Sequence, residues 1–152
     1  MNLRPANASD AAAFAALIMS HRALLTLDPE GRGAEQFFES VSTDALRDYL
    51  ESDRYTYTVA EGDGEILGFI GIRDRSHLFH LFVSSDHQGK GIGRRLWDNA
   101  LRVASEQSNA VPFTVNSSLN AVPVYRRFGF VEAAPRVDKH EVAFLPMRRQ
   151  PA

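Results

Sequence analysis

The stretch His80-Leu81-Phe82-Val83-Ser84-Ser85-Asp86-His87-Gln88-Gly89-Lys90-Gly91-Ile92-Gly93 gathers residue types that can hold an anion and move a proton. The residues before the loop, Leu78 to Ser84, read as an apolar strand. After it, Ile92, Leu96, Trp97, Ala100, Leu101 and Ala104 recur at helical spacing. A strand that feeds a glycine-rich loop and then opens a helix is a physical device for gripping an anion. The first turn leaves backbone N–H groups unpaired, the helix dipole adds partial positive charge, and missing Cβ atoms let a phosphate reach the backbone. His77 and His80 lie on the same strand, and unperturbed imidazoles titrate near neutrality. A regular strand would turn them to opposite faces, and a bulge would change that.

Spacing narrows the choice of anion. A dinucleotide fingerprint, G-x-G-x-x-G, would need its third glycine one residue later, and the chain contains no G-x-x-x-x-G-K-[ST] phosphate loop. Instead it carries Gln88-x-x-Gly91-x-Gly93 directly after an apolar strand. Downstream, Val115-Asn116-Ser117-Ser118-Leu119-Asn120-Ala121-Val122-Pro123-Val124-Tyr125-Arg126-Arg127-Phe128-Gly129-Phe130 reads as a strand, a polar turn and a helix that ends Y-x-x-x-G-F. The first pattern resembles the pyrophosphate-binding motif of the GCN5-related N-acetyltransferase (GNAT) superfamily, and the second resembles that superfamily's next signature. One departure is Ser85, where many relatives carry proline.

The resemblance implies acyl transfer from acetyl-CoA to an amine of a small molecule or peptide by direct attack in a ternary complex. It also implies a strand splayed from its neighbour, with the pantetheine arm in the gap. Phe82, Val83 and Ser84 would then supply edge amides, with the N–H near Val83 as oxyanion donor. Gln88, Gly89, Lys90, Gly91, Ile92, Gly93 and Arg94 would hold the pyrophosphate, and Lys90, Arg94 and Arg95 offer charge for the remaining phosphate. Asn116 and Ser118, at the mouth of the splay, would bond cofactor or acceptor, or else cap a turn. Tyr125 is the candidate general acid, because a phenol of pKa ~10 stays protonated at neutral pH; its other reading is an amphipathic core tyrosine. For the general base His80 is slightly preferred to His77, with a water chain or a structural role for either histidine as alternatives.

The elements that must place these groups can be read in order. Asn2 to Pro5 suits a short strand. Ser9-Asp10 reads as an N-cap before an amphipathic helix, about Asp10 to Leu27. Asp28 to Val41 is broken by Pro29, Gly31 and Gly33, and a second helix, capped by Thr43 or Asp44, reaches Leu50. Tyr55 to Ala60 and Ile66 to Ile72 form a hairpin around Gly62-Asp63-Gly64. The long helix after the glycines ends near Asn109, and the next strand alternates through Val111, Phe113 and Val115. A short helix, Asn120 to Phe128, tolerates Pro123 in its first turn, and Gly129 stops it. Val131 to Ala134 and Val137 to Met147 complete the set as strands. The order β-α-α-β-β-β-α-β-α-β-β predicts an α/β fold with a mixed sheet and helices on both faces.

Composition sets the outer limits. The 152 residues suit one domain, 1–148, with a short tail, 149–152. Lys and Arg number 17 against 19 acids, so no basic field argues for nucleic acid. The absence of cysteine excludes disulfides, thiolate metal sites and a cysteine nucleophile, and fits a reducing cytoplasm. His21, His87 and His140 show no ligand spacing, so no metal is expected. No apolar run approaches the ~20 residues of a membrane span. Asp28, Glu30, Glu35 and Glu39, with Phe37 and Phe38, would form an acidic, aromatic lip for a cationic amine, or a solvated loop over two core phenylalanines. Strand edges in the C-terminal part leave a homodimer open. The principal rival function is a non-catalytic acyl-CoA-binding or regulatory module on the same fold, and a third reading is an unrelated nucleotide-binding domain.

Overall fold

A computed structural model describes residues 1–107 and 112–150. Its strands are β1 (Asn2–Pro5), β2 (Tyr55–Gly62), β3 (Glu65–Arg73), β4 (His77–Val83), β5 (Phe113–Ser118), β6 (Val131–Glu132), β7 (Val137–Lys139) and β8 (Val142–Arg149). Its helices are α1 (Ala11–Ser20), α2 (Arg22–Leu25), α3 (Glu35–Ser40), α4 (Thr43–Glu51), α5 (Ile92–Glu106) and α6 (Val122–Arg127). The strands form one sheet ordered β1-β2-β3-β4-β5-β8-β6, with β7 also paired to β8. Among the described residues only β4 and β5 are parallel neighbours, so the sheet is mixed, as the element order predicts. The expected helix end at Asn109 and strand start at Val111 lie outside the described residues, as do positions 151–152 of the tail.

Two cores sandwich the sheet. On one face Leu96 and Trp97 of α5 pack with Tyr125, Phe128 and Phe130 against Leu78, Phe113 and Val115. On the other, Phe14 and Ile18 of α1 and Leu46 of α4 cover Tyr57, Val59 and Phe69, with the Phe14 and Phe69 rings stacked at 3.8 Å. Alternating strand positions feed the two cores, which fixes the register.

Several boundaries differ from expectation, each for a local reason. Asp10, within the expected Ser9-Asp10 pair, is the N-cap residue of α1. Its side chain reaches back to Asn7 N–H instead of capping the helix, while Asn7 caps a short 3-10 turn, Ala8–Asp10, by accepting from Ser9 N–H. Arg4 then ties Asp10 (2.9 Å) to Glu61 on β2 (2.9 Å). The first helix stops at His21 instead of reaching Leu27. Here the Ser20 hydroxyl takes the Leu17 carbonyl at 2.6 Å, a local bond that competes with the helical ladder. Ser42, not Thr43 or Asp44, caps α4, accepting from Ala45 N–H. The final strand region contains an extra reversal, β7 to β8, turned by His140 (φ 52°) and Glu141 (φ 60°). Both residues adopt the left-handed region without glycine, so composition gave no turn signal there. The last strand also runs on to Arg149, the first residue of the expected tail.

Candidate active site

The cavity begins where two strands part. β4 and β5 pair only at His77↔Thr114 and Leu78↔Val115. Beyond that, β4 stays with β3 as far as Gly68↔Val83, while β5 stays with β8 as far as Ser118↔Phe144. The edges facing the gap therefore keep backbone groups without a ladder partner. Which groups these are follows from the pairing phase. Ser84 N–H donates to Leu67 O on β3 at 2.8 Å, so residues in phase with it, including Phe82, turn their amides to β3. Leu81 and Val83 point theirs into the gap. The expected trio of edge amides thus reduces to Val83, and Leu81 joins it; Phe82 and Ser84 are excluded by strand alternation.

At the open end of β4, a short turn (Ser85–His87) leads through Gln88 to Gly91, the N-cap of α5. Gly91 sits at φ 79°, and no side chain caps the helix. The first intrahelical bond runs from Arg95 N–H to Gly91 O at 3.0 Å, which leaves the N–H groups of Ile92, Gly93 and Arg94 unpaired within the helix. No acid occupies the first turn. These amides and the gap border one cavity of about 780 Å³.

Of the expected cofactor residues, Phe82, Val83, Gln88, Gly89, Gly91, Ile92, Gly93, Arg94 and Ser118 line this cavity, whereas Ser84, Lys90 and Asn116 do not. Gln88 also donates to Val83 O at 3.3 Å. His21, at the break between α1 and α2, sets its Nε2 2.9 Å from that same oxygen and lines the cavity with Leu24 and Leu25. No pattern in the sequence marks this contact, because it joins segments 62 residues apart.

The two strand histidines end on one face. Gly71 pairs with His80 and Ile72 with Leu78, so Phe79 is an extra residue. This bulge puts Phe79 and His80 consecutively on the α1–α4 side, where Phe79 packs on Tyr49 and Tyr55 and His80 on Tyr57. His77 shares that side through its 2.8 Å contact with Thr114 Oγ1. His80 is buried, its Nδ1 lies 2.9 Å from the Tyr57 hydroxyl, and burial pushes its pKa down to about 3. Burial, and then the charge of Arg73, bring His77 down to about 4. Tyr125 is buried against Phe128 and Phe130, and desolvation raises its phenol pKa.

A family model described as an acetyltransferase (GNAT) domain matches residues 25–151. The chain belongs to the GNAT family. It is 31% identical over 122 residues to human N-acetyltransferase 8B, covering 68% of this chain and 54% of that one. Rat N-acetyltransferase 8 is 33% identical over 98 residues, 57% of this chain and 44% of its own. The chain thus spans about half the length of the curated relatives it matches. A GCN5-related N-acetyltransferase from Rhodopseudomonas palustris shares the fold at TM-score 0.80 and 22% identity, covering 98% of this chain and 94% of that one. The PaiA N-acetyltransferase of Thermoplasma acidophilum, solved with coenzyme A, aligns at TM-score 0.77 and 15% identity over 98% of both chains.

In this GNAT chain the acidic lip loses its simplest form. Asp28 is bound to Arg32 at 2.6 Å and also accepts from the N–H groups of Glu30 and Arg32. Glu35 accepts from Gly33 N–H at 3.3 Å. Phe37 and Phe38 are half-buried. Among the described residues, no group of three or more His, Cys, Asp or Glu could hold a metal, and no helix is long and apolar enough to cross a membrane.

Proposed function

We propose that this chain transfers the acetyl group of acetyl-CoA to an amine of a small molecule or peptide by direct attack in a ternary complex. The observation that carries the reading is the uncapped start of α5 opening beside the β4–β5 gap. The bare amides from Gly91 to Arg94 bind the diphosphate, and the pantetheine arm lies in the gap against Val83 and Leu81. The N–H of Val83 is the oxyanion donor, and the N–H of Leu81, one strand repeat away, pairs with the arm. An N–H preset toward the carbonyl oxygen stabilises the tetrahedral intermediate without reorganising. The amine nitrogen forms its bond to the acyl carbon, the C–S bond breaks, and the sulfur leaves as a thiolate that takes a proton from Tyr125. Burial raises the Tyr125 phenol pKa, so the hydroxyl holds its proton at neutral pH until the thiolate forms.

The hydrogen bonds leave an Nε2 lone pair on His77 and not on His80. His77 nevertheless sits where β4 and β5 are still paired, six residues from Val83, so a proton reaches it from the amine through water. The Tyr57 hydroxyl is buried with His80 Nδ1 as its partner, so it donates there and leaves the proton of His80 on Nε2. His77 can instead donate from Nδ1 to Thr114 Oγ1, because that exposed hydroxyl can pass its own proton to water. Its Nε2 lone pair is then free.

The test measures thiol release from acetyl-CoA across small-molecule and peptide amines, alongside calorimetric binding of CoA. Tyr125→Phe lowers kcat about a hundredfold while CoA binding persists, and His77→Gln lowers kcat more than His80→Gln does. CoA binding without turnover on any amine would make the domain a non-catalytic acyl-CoA module. No binding of CoA would remove the reading altogether.

A further inference from the structure

Coenzyme A carries three phosphoryl groups, and the α5 amides account for two. The third, on the 3′-oxygen of the ribose, is a dianion near neutral pH and needs a cation. The charged side chains that line the cavity are Arg94 and Arg127, with no acid among the lining residues. Arg94 is already committed: its Nε lies 3.3 Å from Asp98, its NH1 donates to the Arg127 carbonyl at 3.2 Å, and its guanidinium stacks 5.4 Å from the Phe128 ring centre. Lys90 and Arg95 stand outside the cavity lining. Among the described residues Arg127 has no acidic partner. The bond from Arg94 also pins the Arg127 backbone to the first turn of α5, so its side chain springs from a fixed point beside the diphosphate amides.

Resting on the acetyl-CoA reading above, we propose that Arg127 binds the 3′-phosphate and makes the site select phosphorylated over dephosphorylated coenzyme. A guanidinium offers a planar fork that matches phosphate oxygens, and its interaction with a dianion is charge-assisted. None of the three cations suggested by the glycine loop is needed for this role.

The test is calorimetric titration of the full chain with acetyl-CoA and with acetyl-3′-dephospho-CoA. Wild type binds acetyl-CoA at least about tenfold tighter, the range expected for a hydrogen-bonded charge. Arg127→Gln loses most of that preference while its affinity for the dephosphorylated compound stays the same, and Arg127→Lys keeps part of it. Arg126→Gln, the same charge change one residue earlier and outside the cavity lining, leaves the preference intact. Thermal unfolding of each variant verifies that it is folded. Equal weakening of both ligands in Arg127→Gln, or no preference in wild type, overturns the proposal. Failure of wild type to bind either ligand instead overturns the acetyl-CoA reading beneath it.

Discussion

Two loops of this molecule use glycine in nearly the same backbone conformation for opposite ends. Gly89 and Gly91, at the mouth of α5, have φ of 77° and 79°; Gly31 and Gly33, in the segment between α2 and α3, have φ of 79° and 82°. A Cβ added at Gly89 or Gly91 would meet nothing within 4 Å. At Gly31 it would lie 2.6 Å from the Phe38 ring, and at Gly33 2.7 Å from Glu141 Cγ. The first pair keeps space clear for something outside the chain. The second lets the chain close on itself, where Leu27 N–H also donates to the Glu141 carbonyl at 2.8 Å. A positive φ explains why glycine is present; only the surroundings say whether the missing side chain serves a ligand or a neighbour.

The largest effect expected from this contrast is on stability. Gly31→Ala combines the left-handed penalty, roughly 1–2 kcal/mol, with overpacking against Phe38, roughly 1–3 kcal/mol. Its thermal midpoint falls well below wild type, while the folded fraction still binds acetyl-CoA normally. Gly91→Ala bears only the backbone penalty, and its loss appears mainly as weaker acetyl-CoA binding. Chemical denaturation and calorimetry on both variants measure the two responses. If the variants exchange phenotypes, the assignment of the two loops is wrong.

Acid provides a control that neither loop should influence, because the shifted histidines sit on the sheet. The folded pKa of His80 is about 3, far below its unfolded value. Its contribution to stability is therefore complete above the unfolded pKa of about 6.5 and is lost as pH falls from there toward 3, since only the unfolded chain takes up the proton. Across that window the slope is about 1.4 kcal/mol per pH unit for one proton. His77 acts in the same direction down to about 4, by less, because its partial exposure screens it. In His80→Gln, where the amide oxygen can still accept from Tyr57, the pH slope of the unfolding free energy becomes shallower by nearly one proton. In Gly91→Ala it does not change.

The site was legible where its parts are contiguous. Strand, glycines and helix follow one another between Leu78 and Ala104, so their local periods alone described the mouth of α5. The gap came from the family resemblance, and the phase of its amides needed one observed bond, Ser84 to Leu67, before Leu81 replaced Phe82 and Ser84. His80 looked titratable because the sequence cannot show that the fold buries it, beside Tyr57 from 23 residues away. The His140–Glu141 turn was hidden because neither residue is the Gly or Asn that usually marks such a hairpin turn. What stayed unread was in each case a contact between distant segments or a turn without its usual residues.

His21 joins the α1–α2 break to the gap edge of β4, and its removal should give the smallest measurable effect. The break after α1 aims its Nε2 at the Val83 carbonyl, which faces the gap and also accepts from Gln88. Losing one of the two donors to this carbonyl costs about 1 kcal/mol, so His21→Ala should lower the unfolding free energy slightly. If the imidazole holds the Val83 peptide in register for the cofactor arm, the KM for acetyl-CoA rises severalfold, kcat hardly moves, and His21→Gln restores much of the loss. If the imidazole instead occupies a carbonyl that the arm needs, KM falls in the same variant. The sign of that change therefore decides whether the α1–α2 break supports the mouth of α5 or competes with what enters it.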